Sequence, residues 1–263
     1  MALTYDTPIP VPDGWMLAKY LKVGDYVMSW SGQPIQIKSI QTYTPKEMYE
    51  VTLNDGISFQ ADQHTKLPVE TSYDRINEAN LKHKYKRWKK QRYATIADML
   101  TTGLLTKRNR KFYAVSNSKP VQFLTEDHPV PPFIVGMWMT RRNIRGRFCL
   151  RDVNIDYIKR KIRSYGWNFV EEWGNILEIR PSINHAFITK YPTVPKILPI
   201  EYCFGSVDQR IELLQGFLAL RPNCFNKKAR DFEIYNTDLR FLTTIQGICE
   251  SLGMKTQLFI KDK

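Results

Sequence analysis

The chain has 263 residues, 43% of them hydrophobic, and its 39 lysines and arginines against 26 acidic residues give a formal charge of +13. Length and apolar content suit a soluble globular protein with two modest domains, each with a real core. The excess of cations calls for a polyanion as partner, most simply nucleic acid; no long apolar span or basic amphipathic helix stands out, which sets a membrane partner aside.

The start, Met1 to Asp6, is neither basic nor a sustained apolar run, so no secretory signal is visible. Residues 1–70 read as β. Val11 to Gly14 and Trp30 to Gly32 are turns, Gln36 to Tyr43 has strand composition, and Glu47 to Leu53 alternates. Asn54-Asp55-Gly56 is a hairpin turn into Ile57 to Gln60. Residues 71–125 read as a basic connector. Its stretch Asn80 to Tyr93 holds seven lysines and arginines interleaved with Tyr85, Trp88 and Tyr93. Such a mixture suits phosphate contacts with base stacking, or else a solvated insertion loop. A short helix capped by Thr95 follows, then a basic turn at Lys107 to Lys111 and a strand at Phe112 to Val115.

A third region runs over residues 126–263. His128 in its proline-rich beginning reads as structural. Pro132 to Arg142 is an apolar helix with one internal glycine, Gly136. Arg145 to Arg151 is a strand with outward arginines at 145, 147 and 151. Val153 to Tyr165 is a helix capped by Asn154 and ended by Gly166; Asn168 to Glu172 and Ile176 to Arg180 form a hairpin. Ser206 to Pro222 is a second apolar helix, capped by Ser206, with an internal glycine at Gly216. Glycine inside a helix costs roughly 1 kcal/mol relative to alanine, and close approach of another helix is the usual compensation. Strand, helix and strand then return at Asp231 to Tyr235, Thr237 to Leu252 and Lys255 to Ile260. The repeated order points to an internal duplication about a pseudo-two-fold axis, as against two ordinary core helices with incidental glycines, and the second copy stops early. The fold class is therefore α+β. Cys149, Cys203, Cys224 and Cys249 are scattered without a CxxC, which points to thiols in a reducing compartment, cytoplasmic or DNA-associated, and to no zinc site or disulfide frame.

The segments Pro132 to Met139 and Pro195 to Gly216 resemble the two signature helices of LAGLIDADG homing endonucleases embedded in inteins. Residues 2–14, Leu21 to Asp25 and Ile57 to His64 resemble the first half of an intein (Hint) domain. The resemblance implies that each signature helix ends in an aspartate that holds a catalytic Mg²⁺; the matching positions here are Arg141 and Arg221. A guanidinium cannot bind Mg²⁺, which needs oxygen ligands, so no metal cofactor is expected. Splicing in that family starts from a cysteine, where this chain has Ala2, which has no nucleophile. His64 stands at the family's catalytic histidine, Ala61 stands at its threonine, and His64 also reads as a hydrogen-bonded structural histidine. No C-terminal block ending in His-Asn is present.

The family's saddle-shaped pair of sheets implies contacts to duplex DNA, favoured over RNA, from Arg145, Arg147 and Arg151 in the first copy and Lys227, Lys228 and Arg230 in the second. Lys86, Arg87, Trp88, Lys89 and Lys90 of the connector join them. Arg141 and Arg221 would lie under the scissile phosphates as clamps. The expectation is a nucleic-acid-binding protein that neither cleaves nor splices. Three alternatives stand beside it: the N-terminal part of a split or engineered intein completed by a protein partner in trans, a structural subunit of a larger assembly, and an active endonuclease.

Overall fold

The computed structural model describes residues 3–54, 56–75, 92–141, 147–150, 153–172, 176–190, 197–221, 224–226 and 231–259, with Arg141, Glu172, Asn184 and Ile188 described in backbone only. The fold is α+β, with helices beside small antiparallel sheets. The chain divides into two units: Met1–Val11, Trp15–Lys119 and Gly253–Lys263 make the first, and Pro12–Gly14 with Pro120–Leu252 the second. The described part of the 71–125 stretch divides accordingly, residues 71–75 and 92–119 lying in the first unit and 120–125 in the second.

The first unit is a set of hairpins. Strand β1 (Pro8–Val11) pairs with β2 (Gly14–Leu17), β3 (Tyr26–Met28) with β4 (Pro34–Gln36), and β5 (Met48–Thr52) with β6 (Ser58–Asp62). The turns are those the sequence predicts. Gly32 and Gly56 sit at φ of 78° and 86°, where a side chain would strain the backbone. Strand β7 (Lys66–Thr71) is the centre of a three-stranded sheet, flanked by β8 (Arg92–Thr95) and β9 (Tyr113–Val115). Helix α1 (Ile96–Thr102) starts at a capping box in which Thr95 Oγ1 accepts from the Asp98 amide and the Asp98 carboxylate accepts from the Thr95 amide, both at 3.0 Å. Such a cap contributes about 1 kcal/mol. The core is small: Ala61, Leu67, Val69, Ala94, Ile96 and Met99. The strand expected over 36–43 does not form beyond Gln36. Ile37 closes onto Gly24 and Asp25 through two backbone hydrogen bonds, and Ile40 and Tyr43 beyond it are exposed, without a partner strand to bury them.

The second unit has a larger core. It contains α2 (Pro132–Arg141), β10 (Arg147–Cys149), α3 (Ile155–Ser164), β11 (Asn168–Glu172), β12 (Ile176–Arg180), α4 (Ile183–Ile188), α5 (Val207–Ala219), the two-residue strands β13 (Phe225–Asn226) and β14 (Asp231–Phe232), and α6 (Leu239–Ser251). Strand β12 lies between β10 and β11, antiparallel to both. Asn154 caps α3, its side-chain oxygen accepting from the Tyr157 amide at 3.0 Å. Ile158 and Ile162 are buried one turn apart, which leaves Lys159, Arg160, Lys161 and Arg163 to the remaining faces of α3. Ser206 and Gln209 form the capping box of α5, and that helix ends at Ala219, three residues before Pro222.

Three details differ from expectation. The cap of α6 is Asp238, whose carboxylate accepts from the Arg240 and Phe241 amides. Strand β14 is only two residues long. Residues 254–259 form no strand: Gly253, at φ 75°, ends the run after α6, and the chain beyond it belongs to the first unit, where the Asn117 side chain bonds the Gly253 carbonyl at 3.3 Å.

Candidate nucleic-acid interface

Helix α2 is apolar on every side, with Phe133, Ile134, Val135 and Met137 fully buried, so it can only be a central helix. Its partner is α5. A methyl group on Gly136 would collide with the Leu213 carbonyl oxygen and stand 2.6 Å from the Phe217 amide nitrogen. A methyl group on Gly216 would collide with the Phe133 carbonyl oxygen and stand 2.7 Å from its carbon. The contacts are reciprocal: each glycine meets the residue three places before the other. The two backbones therefore touch, which is the compensation for two helix-interior glycines. Thr140 reinforces the crossing, its hydroxyl bonding the Phe217 carbonyl at 3.1 Å and the Gly136 carbonyl at 3.2 Å.

The crossing ends in Thr140 and Arg141 on one helix and Leu220 and Arg221 on the other. The Arg221 guanidinium lies 4.5 Å from the Phe217 ring centroid, folded back along its own helix. Its Nε has no hydrogen-bond partner, and burial pulls its pKa below the ordinary value. Arg141 ends α2, and its side chain lies outside the described residues. Neither helix end offers a carboxylate, and among the described residues no three His, Cys, Asp or Glu side chains are grouped to hold a metal ion. The donor set does not fit the Mg²⁺ that the resemblance implies.

The sheet β10–β12–β11 presents a charged outer face. Phe148, Leu177 and Ile179 turn to the core, and Arg147, Glu178 and Arg180 turn away from it. Arg147 stands opposite Glu178 across the strands. The carboxylate accepts from Arg147 Nε at 3.0 Å and pairs with Arg180 at 2.7 Å, one arginine on each oxygen. Glu178 thus holds both guanidinium groups in place on the outer face. Arg147 is where the sequence predicts it. Glu178 and Arg180 were missed, although the alternation through Ile176 to Arg180 puts both on the outer face.

In the first unit, His64 is exposed and its Nε2 lies 3.1 Å from Nε2 of the Gln63 side chain. The buried group beside it is Asp62, which accepts from the Thr65 and Tyr43 hydroxyls at 2.5 Å each; these bonds, Thr65 first, hold its carboxyl below the usual range. Ala2, Lys86, Arg87, Trp88, Lys89, Lys90, Arg145, Arg151, Lys227, Lys228 and Arg230 lie outside the described residues. All four cysteines are free thiols, and burial pushes Cys203 and Cys249 up to about 11.

Two further groups of the second unit carry no signal in a single sequence. Arg210 is fully buried and donates to the Gly205 carbonyl at 2.9 Å, the Ser251 hydroxyl and the Val121 carbonyl. His128 stacks on Tyr202 with ring centroids 4.0 Å apart, and neither ring nitrogen has a hydrogen-bond partner.

No protein-family model matches the chain. Among the described residues, no helix is long and apolar enough to cross a membrane. The chain is 25% identical, over 276 aligned positions, to the replicative DNA helicase DnaB of Mycobacterium intracellulare. The match covers 99% of this chain and 44% of that protein, so the chain spans less than half the length of the curated relative it matches.

Proposed function

We propose that this chain derives from an intein with an embedded LAGLIDADG-type endonuclease and binds nucleic acid, duplex DNA first, without cleaving it and without splicing itself. The observation that carries this reading is the reciprocal crossing of α2 and α5 through Gly136 and Gly216, closed by arginines where the nuclease family places carboxylates. The charge of +13 and the similarity to a protein named as a DNA helicase support DNA as the polyanion. Arg147 and Arg180, each paired with one oxygen of Glu178, put two guanidinium groups on the outer face of the sheet.

The test is duplex binding across a salt titration with Mg²⁺ present, so that cutting is scored in the same tubes. The expected result is binding that weakens steeply with salt and leaves the duplex intact. The double variant R147A/R180A should flatten the slope of log K against log salt by about two. Cutting would overturn the proposal.

A second reading is a split intein completed in trans by another chain. The small core of the first unit favours it, together with large apolar side chains left exposed, Tyr26 and Ile35 on the β3–β4 hairpin and Tyr20 and Val23 just before it. A complementary chain ending in His-Asn should then bind and protect those residues from solvent. Failure to bind would remove this reading.

A further inference from the structure

Between α1 and β9 the first unit carries a short antiparallel ribbon over residues 104–112. The Phe112 amide donates to the Leu104 carbonyl at 2.9 Å, Leu105 bridges Lys111, and the Thr106 amide donates to the Arg110 carbonyl at 2.7 Å. The turn at its tip is fixed as well. The Asn109 amide donates to the Thr106 carbonyl at 2.9 Å, and the Thr106 hydroxyl accepts from the Arg110 amide at 3.2 Å. Asn109 sits at φ 56°, a conformation that asparagine tolerates better than most residues. The root is clamped by Arg75, whose guanidinium donates to the Lys111 carbonyl at 2.8 Å and to the Glu70 carbonyl of β7 at 3.1 Å. The Lys111 ammonium donates to the Asn54 side chain.

This fixed tip carries Lys107, Arg108 and Arg110, all exposed, and none of the three side chains is paired among the described residues. The sequence has no Asp or Glu between Asp98 and Glu126, and Asp98 is committed to the cap of α1. Three like charges on a rigid turn repel one another, and a polyanion relieves that repulsion. The shape of the ribbon selects among polyanions. The major groove of a duplex admits a two-stranded ribbon, and cations at its tip meet phosphates there. A lipid surface fits less well. The leucines of the ribbon, Leu104 and Leu105, are 56% and 53% exposed but stand at its root. The tip from Thr106 to Arg110 is polar throughout and would have to enter a bilayer ahead of them.

We propose that the ribbon of residues 104–112 docks in the major groove of a nucleic-acid duplex, with Lys107, Arg108 and Arg110 on its phosphates. The inference rests on the nucleic-acid reading above and adds to it a contact made by the first unit.

The full chain is tested on a labelled blunt DNA duplex across a salt titration, as wild type, as K107A/R108A/R110A and as the charge-keeping K107R/R108K/R110K. The alanine variant should bind more weakly and lower the slope of log K against log salt by about three. The charge-keeping variant should keep the wild-type slope. Dimethyl sulfate, which methylates guanine N7 in the major groove, should find guanines that wild type protects and the alanine variant exposes. The urea midpoint of the alanine variant should match wild type, because all three side chains are exposed. An unchanged slope would overturn the proposal, and so would a lowered slope with the same guanines still protected. Wild-type protein that binds anionic lipid vesicles through these three residues, with duplex binding unaffected by their loss, would overturn it in favour of a lipid surface. Wild-type protein that binds the duplex with the slope of the alanine variant overturns this inference alone; wild-type protein that does not bind the duplex overturns the nucleic-acid reading as well.

Discussion

Replacing Arg210 should reveal how the second unit tolerates a buried cation. The guanidinium is out of solvent, forms no ion pair among the described residues, and is bonded to the Gly205 and Val121 carbonyls and the Ser251 hydroxyl, with the Phe123 ring centroid 4.9 Å away. Burial lowers its pKa to about 10, so it stays charged at neutral pH. Arg210→Ala leaves two carbonyls without their donor, at about 1–3 kcal/mol each. It also opens a cavity, for which large-to-Ala changes cost about 2–5 kcal/mol, and removes a ring contact worth up to about 2 kcal/mol. Against this, it releases a buried charge whose desolvation costs several kcal/mol. The losses outweigh the release, and the net expectation is about 3–5 kcal/mol of destabilisation. Arg210→Met keeps most of the volume and should cost about 2 kcal/mol, the unpaired carbonyls being most of it. Urea unfolding gives the totals. Hydrogen exchange at the Val121 amide, which bonds the Ser251 carbonyl at 2.8 Å, reports opening at this junction. A methionine variant as stable as wild type, with Val121 equally protected, would show that the three bonds do not exceed the cost of burying the charge.

Three further outcomes are expected. Gly136→Ala places a methyl group into the backbone of α5 and should lower stability by about 3 kcal/mol through forced separation of the helices, with Gly216→Ala close behind; thermal unfolding within 1 kcal/mol of wild type would contradict the contact. Burial lowers the His128 pKa from 6.5 to about 4. Above pH 6.5 both states hold a neutral ring. Below it the unfolded chain takes up a proton that the folded chain refuses, so stability falls as pH drops from 6.5 toward 4, by up to about 3 kcal/mol. His128→Phe should remove that component, and a stability difference between variant and wild type that stays flat from neutral pH to about pH 4.5 would contradict it. Glu178→Gln removes the carboxylate between Arg147 and Arg180 and should tighten duplex binding while steepening its salt dependence by about one. An unchanged slope would place this face away from the phosphates.

Much of the fold was legible because local chemistry demands it. Asn154 and Ser206 cap their helices as read, and the isoleucines of α3 fall one turn apart on the buried face. The two helix-interior glycines were informative because each has a local cost that only a contact elsewhere can offset. Arg147 was legible from alternation alone. What stayed hidden involves residues distant in the chain. Arg210 sits in the first turn of α5 among polar neighbours and reads as a solvent-facing cation; its Val121 partner lies 89 residues away. The strands expected at 36–43 and 255–260 have suitable composition, but a strand exists only when an edge is available to pair with it.

By itself the sequence determined the net charge of +13, the turns and caps, the two apolar helices with their glycines, and the arginines, with no carboxylate, where those helices end. Each of these is a property of residue type or of short-range periodicity. Tertiary packing decided that the two glycines meet, that Glu178 holds two arginines on the outer face, and that Arg210 is buried on carbonyls. These depend on which distant surfaces come together, and short-range periodicity holds no record of that.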